Sequence, residues 1–425
     1  MSAPQPVAPG LPPITPPSAR FLAQLFLVPG LIVVVAVGIL LGFSWLVGRS
    51  RTPERFLQDL KSDNPEVRWR GASDLAQVLK RDPMLASNPR FALDMADLLE
   101  GAIRDDEQDG RRKSVRSSPE GVPEPTPATR FIQYLMNCLG TSNVPVGLSL
   151  LTRVAQTDSG LDPQDLLLRR QSAMWSLANL AARLHQIDQI PGDRKKAILE
   201  TLDEEAQSPS GTRSARARSA AEWLRQGPAA VNDGSVLPAL RACAASEDPV
   251  LRKIVALVLN LWPLNATTEP DLDVLLLKLS YDDGHGGGDD SRVRGVEIRF
   301  KATEGLARRG VPAVADRFAL LDAMLDPGEL ATAFRVKNAT GREETDEAAV
   351  VSTLTSAMRA LVELHRRRPQ LNLHRFQPAI AKLIEASNAM VRQEAERTQP
   401  QLYQPATPTL PAGHSLRRQN DAGDP

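Results

Sequence analysis

The most suggestive group of metal-ligating residue types in the chain lies at residues 281–290. Its carboxylates and its imidazole belong to Asp282, Asp283, His285, Asp289 and Asp290. Oxygen and imidazole donors bind divalent cations, but histidine and glycine occupy the third and fifth ligand positions counted from Asp283, which does not fit an EF-hand loop. Three consecutive glycines follow the histidine and favour a flexible backbone over a preset cage. We interpret the segment as a loop between two helices, with a cation site as the alternative.

Residue types that serve in nucleophilic or acid–base catalysis are present but lack a catalytic spacing. Cys138 and Cys243 lie in apolar helical patterns, where a buried structural thiol is the expected role and a nucleophile the alternative. The chain has no His-Glu-x-x-His, Cys-x-x-Cys or Gly-x-Ser-x-Gly motif, which are the local signs of common catalytic sites. The sequence therefore predicts neither an enzyme nor a bound cofactor.

One arginine-rich helix is the strongest sequence candidate for binding phosphate groups, through Arg213, Arg216, Arg218 and Arg225. A solvated face is the competing interpretation, because acidic residues lie close by at Asp203, Glu204, Glu205 and Glu222. The whole chain has 51 basic and 51 acidic residues, so no net charge attracts nucleic acid. We expect neither a nucleic acid nor a small-molecule substrate as ligand.

The elements around these residues repeat along the chain. Several helical stretches end at an Asp or Asn followed by proline, and the next stretch starts with an apolar residue and an arginine. The best copies are Asn64, Pro65, Val67 and Arg68; Asp248, Pro249 and Arg252; and Ile298 with Arg299. Weaker copies are Leu168 with Arg169, Ala215 with Arg216, and Val391 with Arg392. The acidic or amide side chain caps a helix and proline fits its first turn, while the arginine is expected to reach an acidic turn of its own or the adjacent repeat.

These residues resemble the HEAT repeat family, whose helical pairs carry Asp-Pro-x-Val-Arg at the turn. The resemblance covers residues 52–398, and it implies an all-α solenoid of about seven or eight pairs whose second helices line a concave face for protein or peptide binding. The pairs are expected to begin near Glu54, Arg90, Val146, Asp193, Ser235, Asp271, Ala315 and Leu373. Disorder is predicted for an insertion at 104–130 and for the tails 1–20 and 399–425, and a Gly/Asp loop for 281–291.

Residues 21–48 carry no formal charge and are numerous enough to cross a bilayer as one helix. A buried core helix and a cleaved signal peptide are the alternatives, but the run is long for either and ends without a good cleavage site. We predict a single transmembrane helix. Arg49, Arg51 and Arg55 follow it, so the positive-inside rule puts the soluble body in the cytoplasm and the N-terminal tail outside.

Three functions of different classes fit these features. The first is a membrane-anchored scaffold or adaptor for a membrane-associated protein partner, such as an accessory subunit of a membrane complex. The second is an enzyme like the lyases of the HEAT class, which requires acidic, histidine or cysteine groups converging in a pocket on the second helices. The third is a nucleic-acid binder, which requires a strongly positive face and salt-sensitive affinity. The sequence favours the scaffold, because repeats and an anchor are present and catalytic motifs are not.

Overall fold

The computed structural model describes residues 31, 33–39, 53–113, 126–157, 162–184, 190–227, 236–262, 269–284, 291–337 and 341–403, with the backbone alone for 109–113, 269 and 291–294. The chain divides into two compact units, 1–56 and 57–425. In the first unit, Leu31 and residues 33–39 are helical. The rest of the predicted transmembrane run lies outside the described residues, as does the tail 1–20. No described helix is both long and apolar enough to cross a membrane.

From residue 53 onward the described chain is almost entirely helical. The helices are α1 (Pro53–Leu60), α2 (Pro65–Arg81), α3 (Pro83–Ala86), α4 (Pro89–Lys113), α5 (Pro127–Thr141), α6 (Leu148–Gln156), α7 (Pro163–Leu184), α8 (Gly192–Ala206), α9 (Gly211–Gln226), α10 (Val236–Ala244), α11 (Pro249–Leu261), α12 (Glu269–Leu279), α13 (Ser291–Arg309), α14 (Phe318–Met324), α15 (Pro327–Ala333), α16 (Glu347–Arg367), α17 (Gln377–Ile384) and α18 (Ala389–Tyr403). Short 3₁₀ helices precede α6, α14 and α17 at Pro145–Gly147, Pro312–Arg317 and His374–Phe376. The exception is an antiparallel hairpin of β1 (Arg335–Lys337) and β2 (Glu343–Thr345).

The second unit is an all-α solenoid, as the repeats predict. Helices α2, α5, α7, α11, α13, α16 and α18 pack one against the next in that order, and we call this layer the second-helix ridge. Helices α4, α6, α10, α12, α14 and α17 each pack beside a ridge helix and form the other layer. Leucines of the ridge are fully buried in the core, among them Leu75, Leu135, Leu177, Leu259 and Leu361. Each pair thus buries an apolar face against its neighbours that it could not bury alone.

Helices α8 and α9 form a pair that does not join the ridge. Helix α7 packs directly on α11, while α8 and α9 pack on each other and against α4 and the 3₁₀ helix Pro145–Gly147. The predicted pair near Asp193 therefore exists, but its place as a stacked repeat was wrong. The physical reason is that the arginines of α9 are paired with carboxylates of α4, as described below, instead of with the turn of an adjacent repeat.

Glycines let ridge helices approach their neighbours closely. A methyl group at Gly140 of α5 would lie 2.5 Å from the carbonyl oxygen of Ser176 on α7. A methyl group at Gly71 of α2 would lie 3.1 Å from Cβ of Asp59 on α1. The first contact involves backbone, which cannot turn away. A small residue at this point of the ridge is therefore required by packing.

Two predicted disordered segments begin later than expected. Helix α4 continues to Lys113 and α5 begins at Pro127, so residues 104–113 and 127–130 of the predicted insertion are helical, and residues 114–125 lie outside the described residues. Asp106 of this extension forms an ion pair with the buried Arg169 of α7. At the other end α18 continues to Tyr403, whose hydroxyl donates to the carbonyl of Leu373 over 3.1 Å. Burial raises the pKa of Tyr403 to about 12, and residues 404–425 lie outside the described part.

Candidate binding groove on the second-helix ridge

The repeat-turn residues cap the ridge helices that follow them. Oδ1 of Asn64 accepts from the backbone N–H of Glu66 over 2.9 Å at the start of α2. Oδ1 of Asp248 accepts from the N–H of Leu251 over 2.6 Å at the start of α11. Pro65 and Pro249 open the two helices, where a missing N–H costs nothing. The recurrent Asp/Asn-Pro pairs therefore act as helix start signals.

Arg252 connects one repeat turn to the next. Its Nε and Nη2 donate to the two carboxylate oxygens of Asp282 over 2.6 and 3.1 Å, and Nη1 donates to the carbonyls of Ser246 and Glu247 over 2.8 and 2.9 Å. The Arg252 and Asp282 side chains are 8% and 11% exposed. This is the contact expected of the motif arginine, an acidic turn of the adjacent repeat bound bidentately.

The other motif copies differ in detail. Val67, the apolar residue of its copy, is 39% exposed and lies outside the core. The guanidinium of Arg68 lies over the Phe131 ring at 5.4 Å. Ile298 and Val391 are buried. Arg299 is half-buried beside Ile298, whereas Arg392 is exposed and donates to the carbonyl of Ala386 over 3.1 Å. Arg169 and Arg216 do pair with carboxylates, but these lie on α4, so among the described copies Arg252 is the one bound to an acidic turn of the adjacent repeat.

The candidate cation loop is described only at its start. The carboxylate of Asp282 forms an ion pair with Arg252 and also accepts a hydrogen bond from the N–H of Gly284 over 2.8 Å. His285, Asp289 and Asp290 lie outside the described residues, so the cation interpretation stays a prediction. Within the described ranges no three His, Cys, Asp or Glu side chains are grouped closely enough to hold a metal ion.

Both thiols lie in the core of the second unit. Burial raises the pKa of Cys138, and its Sγ donates to the carbonyl of Ala72 over 3.5 Å. Burial also raises the pKa of Cys243, and its Sγ donates to the carbonyl of Ala155 over 3.3 Å. A raised pKa keeps a thiol protonated at neutral pH, and the protonated form is a poor nucleophile. This geometry fits structural thiols.

The arginines of α9 bind carboxylates, and most of these lie on α4. Arg213 donates to Asp94 and Asp97 of α4 over 2.8 Å each and to Glu205 of α8 over 2.7 Å. Arg216 donates to Asp97 over 2.7 Å and to Glu100 over 2.6 Å. The predicted neutralisation by nearby acidic residues holds for Arg213, which binds Glu205. The predicted solvated face was wrong for Arg216, whose side chain is 4% exposed. We call this network the α9–α4 clamp, and it leaves Arg213 and Arg216 without a free face for phosphate.

A groove of about 480 Å³ lies at the C-terminal ends of the last ridge helices. Its lining comes from α11 and its cap Trp262, and from α13, α16 and α18. Six arginines and two glutamates face it: Arg308, Arg309, Arg359, Arg366, Arg367, Arg397, Glu363 and Glu394. The lining therefore carries a clear excess of positive charge in a chain whose net charge is zero.

Backbone and side-chain contacts hold the arginines at the groove. Helix α13 ends at Arg309 because Gly310 follows with φ 67°, a conformation that glycine adopts without strain. Nε of Arg309 donates to Oδ1 of Asp273 on α12 over 2.6 Å. Nη2 of Arg359 donates to Oε2 of Glu394 over 2.7 Å, and this hydrogen bond raises the pKa of Arg359. One hydrogen bond to a carboxylate thus orients the guanidinium group of each of these two arginines.

Several buried polar atoms of the groove residues have no hydrogen-bond partner among the described residues. They are Nη1 and Nη2 of Arg309, Nε of Arg308, Oγ1 of Thr398 and Oδ1 of Asn260. Buried polar atoms are nearly always paired in folded proteins, and an unpaired one costs about 1–3 kcal/mol. Four residues with such atoms in the lining of one groove indicate a surface prepared for a polar ligand.

On α11 and α13, charged side chains form ion pairs, and one of these pairs includes Arg308 of the groove. Lys253 of α11 pairs with Glu297 of α13 over 2.7 Å. Glu304 pairs with Lys301 over 3.0 Å and with Arg308 over 3.2 Å. The charges of these residues are therefore neutralised locally. A nucleic-acid binder instead requires a continuous basic stripe, and these ion pairs do not favour one on α11 and α13.

The groove was missed from the sequence because no single helix contains it. Its arginines come from α13, α16 and α18, whereas α9 has four arginines within one helix and therefore gives the stronger sequence signal. A signal is nevertheless present: Arg308 and Arg309 end α13, and Arg366 and Arg367 end α16. Basic residues at the same end of consecutive second helices predict one shared surface once the helices stack.

Comparison with known proteins assigns no family. No family model and no curated protein matches the chain. Among solved structures it is similar to a designed armadillo repeat protein, at 14% identity and a TM-score of 0.30, with 60% of this chain and 99% of that chain covered. It is also similar to an engineered protein from a structural genomics consortium, at 16% identity and a TM-score of 0.23, with 82% and 98% covered. At these TM-scores the fold assignment rests on the helix packing given above.

Proposed function

We propose that this chain is a binding scaffold whose ridge groove holds an anionic segment of a partner protein. The observation that carries the proposal is the groove itself, where six arginines from three ridge helices face one cavity of about 480 Å³. Guanidinium groups bind carboxylate and phosphate oxygens strongly and with defined geometry. A groove open to solvent at the ends of four consecutive ridge helices suits an extended segment better than a small enclosed substrate.

The scaffold is proposed to act at a membrane. Residues 21–48 remain a candidate anchor because their uncharged length matches the thickness of a bilayer. The arginines that follow favour a cytoplasmic body, and a membrane-associated partner, such as the main subunit of a membrane complex, then lies on the same surface. The Asp-Pro turns support a HEAT-type repeat within the solenoid, with Arg252 and Asp282 as the best copy.

A lyase-like enzyme is supported less well by this groove. Such an enzyme needs acid, histidine or cysteine groups converging in a pocket. The acidic groups lining this groove, Glu363 and Glu394, are both held by arginines, and among the described residues no histidine or cysteine lines it. The features that remain, positive charge and hydrogen-bond donors, serve binding.

Site-specific photo-crosslinking in native membranes tests the proposal. A photoreactive residue at Gln401, exposed on the groove rim, is compared with one at Gln226, exposed on α9 away from the groove. We expect Gln401 to capture a reproducible protein that Gln226 does not, and Arg366→Glu to abolish the capture. Equal capture at both positions, or captured nucleic acid in place of protein, would contradict the proposal.

A further inference from the structure

The floor of the groove is formed by buried side chains with polar atoms that have no hydrogen-bond partner among the described residues. Arg309 is 2% exposed at its side chain and is oriented by Asp273 through Nε. Its two terminal nitrogens, which form the edge that binds oxyanions bidentately, have no partner in the described part of the chain. Thr398 is 1% exposed, and its hydroxyl is unpartnered within the same ranges.

The chemistry of these atoms is dominated by donors. Nη1 and Nη2 of Arg309, Nε of Arg308 and the hydroxyl of Thr398 can all donate. A carboxylate offers two oxygens to such a set, whereas a phosphoryl group offers three and carries a charge of about −1.5 to −2 at neutral pH. Six arginines line the groove, and four carboxylates pair with them, Asp273, Glu304, Glu363 and Glu394. The positive charge that remains favours the more highly charged ligand.

One floor atom is an acceptor and points to what carries the phosphoryl group. Oδ1 of Asn260 is buried without a donor among the described residues. A backbone N–H next to a phosphorylated side chain supplies such a donor. Trp262, which is buried at the end of α11, adds an apolar wall beside it.

We infer that the groove floor binds a phosphoryl group carried by a segment of the partner protein. This inference rests on the proposed function and names the chemistry of the partner. Because the floor atoms are shielded from water, the ligand reaches them after side chains at the rim turn aside. Arg366 and Arg397 are exposed at the rim. Arg366 pairs with Glu363 on its own helix, and an exposed pair of this kind costs little to break, so both side chains can move.

The first test is binding of inorganic phosphate to the full chain, measured by calorimetry at constant ionic strength, with acetate in parallel. We expect phosphate to bind and Thr398→Val to weaken it about tenfold, the value of one hydrogen bond to a charged group. The variant should fold, because its lost hydroxyl has no partner among the described residues. Thr355→Val, whose hydroxyl bonds to its own helix, is the matched control and should leave binding unchanged. Arg309→Lys keeps the charge but loses the planar fork and should also weaken binding.

Equal binding of phosphate and acetate, or unchanged phosphate binding in Thr398→Val, would overturn the inference. A second test treats membranes with phosphatase before crosslinking at Gln401. Loss of capture supports a phosphorylated partner. Persistent capture that still depends on Arg366 leaves the scaffold proposal intact and overturns the phosphoryl inference. Phosphate binding by the floor without any captured protein leaves the oxyanion site intact and overturns the scaffold.

Lipid phosphate is separated from protein phosphate by a third measurement. The full chain is mixed with vesicles of phosphatidylcholine alone or with phosphatidic acid added. If the site is for a protein segment, any binding to phosphatidic acid should be equal in the wild type and in Thr398→Val. A loss of vesicle binding in Thr398→Val would replace the protein segment by a lipid headgroup and contradict the inference.

Discussion

Nη1 of Arg216 on α9 lies 2.7 Å from Oδ1 of Asp97 on α4, although 119 positions separate the two residues in the chain. The same guanidinium reaches Glu100 through Nη2, and its side chain is 4% exposed. This contact belongs to the α9–α4 clamp, which holds a helical pair that has no place on the ridge. The clamp explains why the solenoid can stack α7 directly on α11 while α8 and α9 stay attached.

Replacement of Arg216 by methionine is expected to release the α8–α9 pair selectively. The change leaves Glu100, whose carboxylate is 18% exposed, with one arginine fewer, and a hydrogen bond to a charged group contributes about 1.5–3 kcal/mol. Hydrogen exchange of residues 192–226 should accelerate while the ridge helices keep their protection. Arg218→Met on the same helix is the control, because Arg218 is exposed and bonds only weakly to Ala206 over 3.5 Å. Equal effects of the two substitutions would show that helix propensity matters and the clamp does not.

The clamp should also weaken in acid. The hydrogen bond from Arg213 lowers the pKa of Glu205, against a smaller effect of burial, and Arg90 adds to it. Burial raises the pKa of Glu100, but hydrogen bonds from Arg153 and Arg216 outweigh burial and leave it lowered. A lowered pKa contributes stability that is present above the unfolded value, 4.5 here, and that is lost as pH falls through the folded value.

The measurement is urea unfolding of the wild type and Glu205→Gln between pH 7 and pH 3. We expect the wild type to be the more stable of the two at pH 7 and the difference to disappear below the folded pKa of Glu205. Glu396→Gln, at an exposed position of α18, serves as the control for removing a glutamate. A difference that stays constant across the range would mean that Glu205 titrates alike in both states.

The ion pair of Arg252 and Asp282 should contribute more to the free energy of unfolding than an exposed Arg–Asp pair. Asp282→Asn removes the bidentate carboxylate from a guanidinium whose side chain is 8% exposed, and breaking a buried pair costs about 3 kcal/mol. The matched control is Asp271→Asn, which breaks a pair with Arg241 that is 56% exposed on both sides and should cost less than about 1 kcal/mol. Thermal unfolding of the two variants measures the difference, and similar losses would contradict the role of burial.

Substitution of alanine for two glycines in neighbouring helices should change the free energy of unfolding in opposite directions. Gly140→Ala puts a methyl group 2.5 Å from the carbonyl oxygen of Ser176, and overpacking of this kind costs about 1–3 kcal/mol. Gly101→Ala on α4 meets nothing within 4 Å and should stabilise the helix by about 0.5–1 kcal/mol. Urea unfolding of each variant measures the sign. Stabilisation by Gly140→Ala would show that α5 and α7 separate easily.

The helical pairs, their starts and most of their order were predictable from the sequence. The cap of Asp248, the proline after it and the buried Leu251 act within one turn of helix. Interactions between residues this close in the chain can be predicted from the sequence. The ends of α4 and α18 were misplaced, because Asp106 and Tyr403 are ordered by Arg169 and Leu373, which lie far from them in the chain.

Taken alone, the sequence determined the fold class, because apolar periodicity, Asp-Pro caps and small residues specify helical pairs locally and their repetition specifies a stack. Tertiary structure decided which arginines are free to bind. Arg213 and Arg216 were the sequence candidates, but α4 happens to bring carboxylates to them. Arg309 and Arg359 lie on different helices, and stacking of those helices places them in one groove. An ion pair depends on which helices become neighbours in space, and that choice is made by packing of the whole ridge.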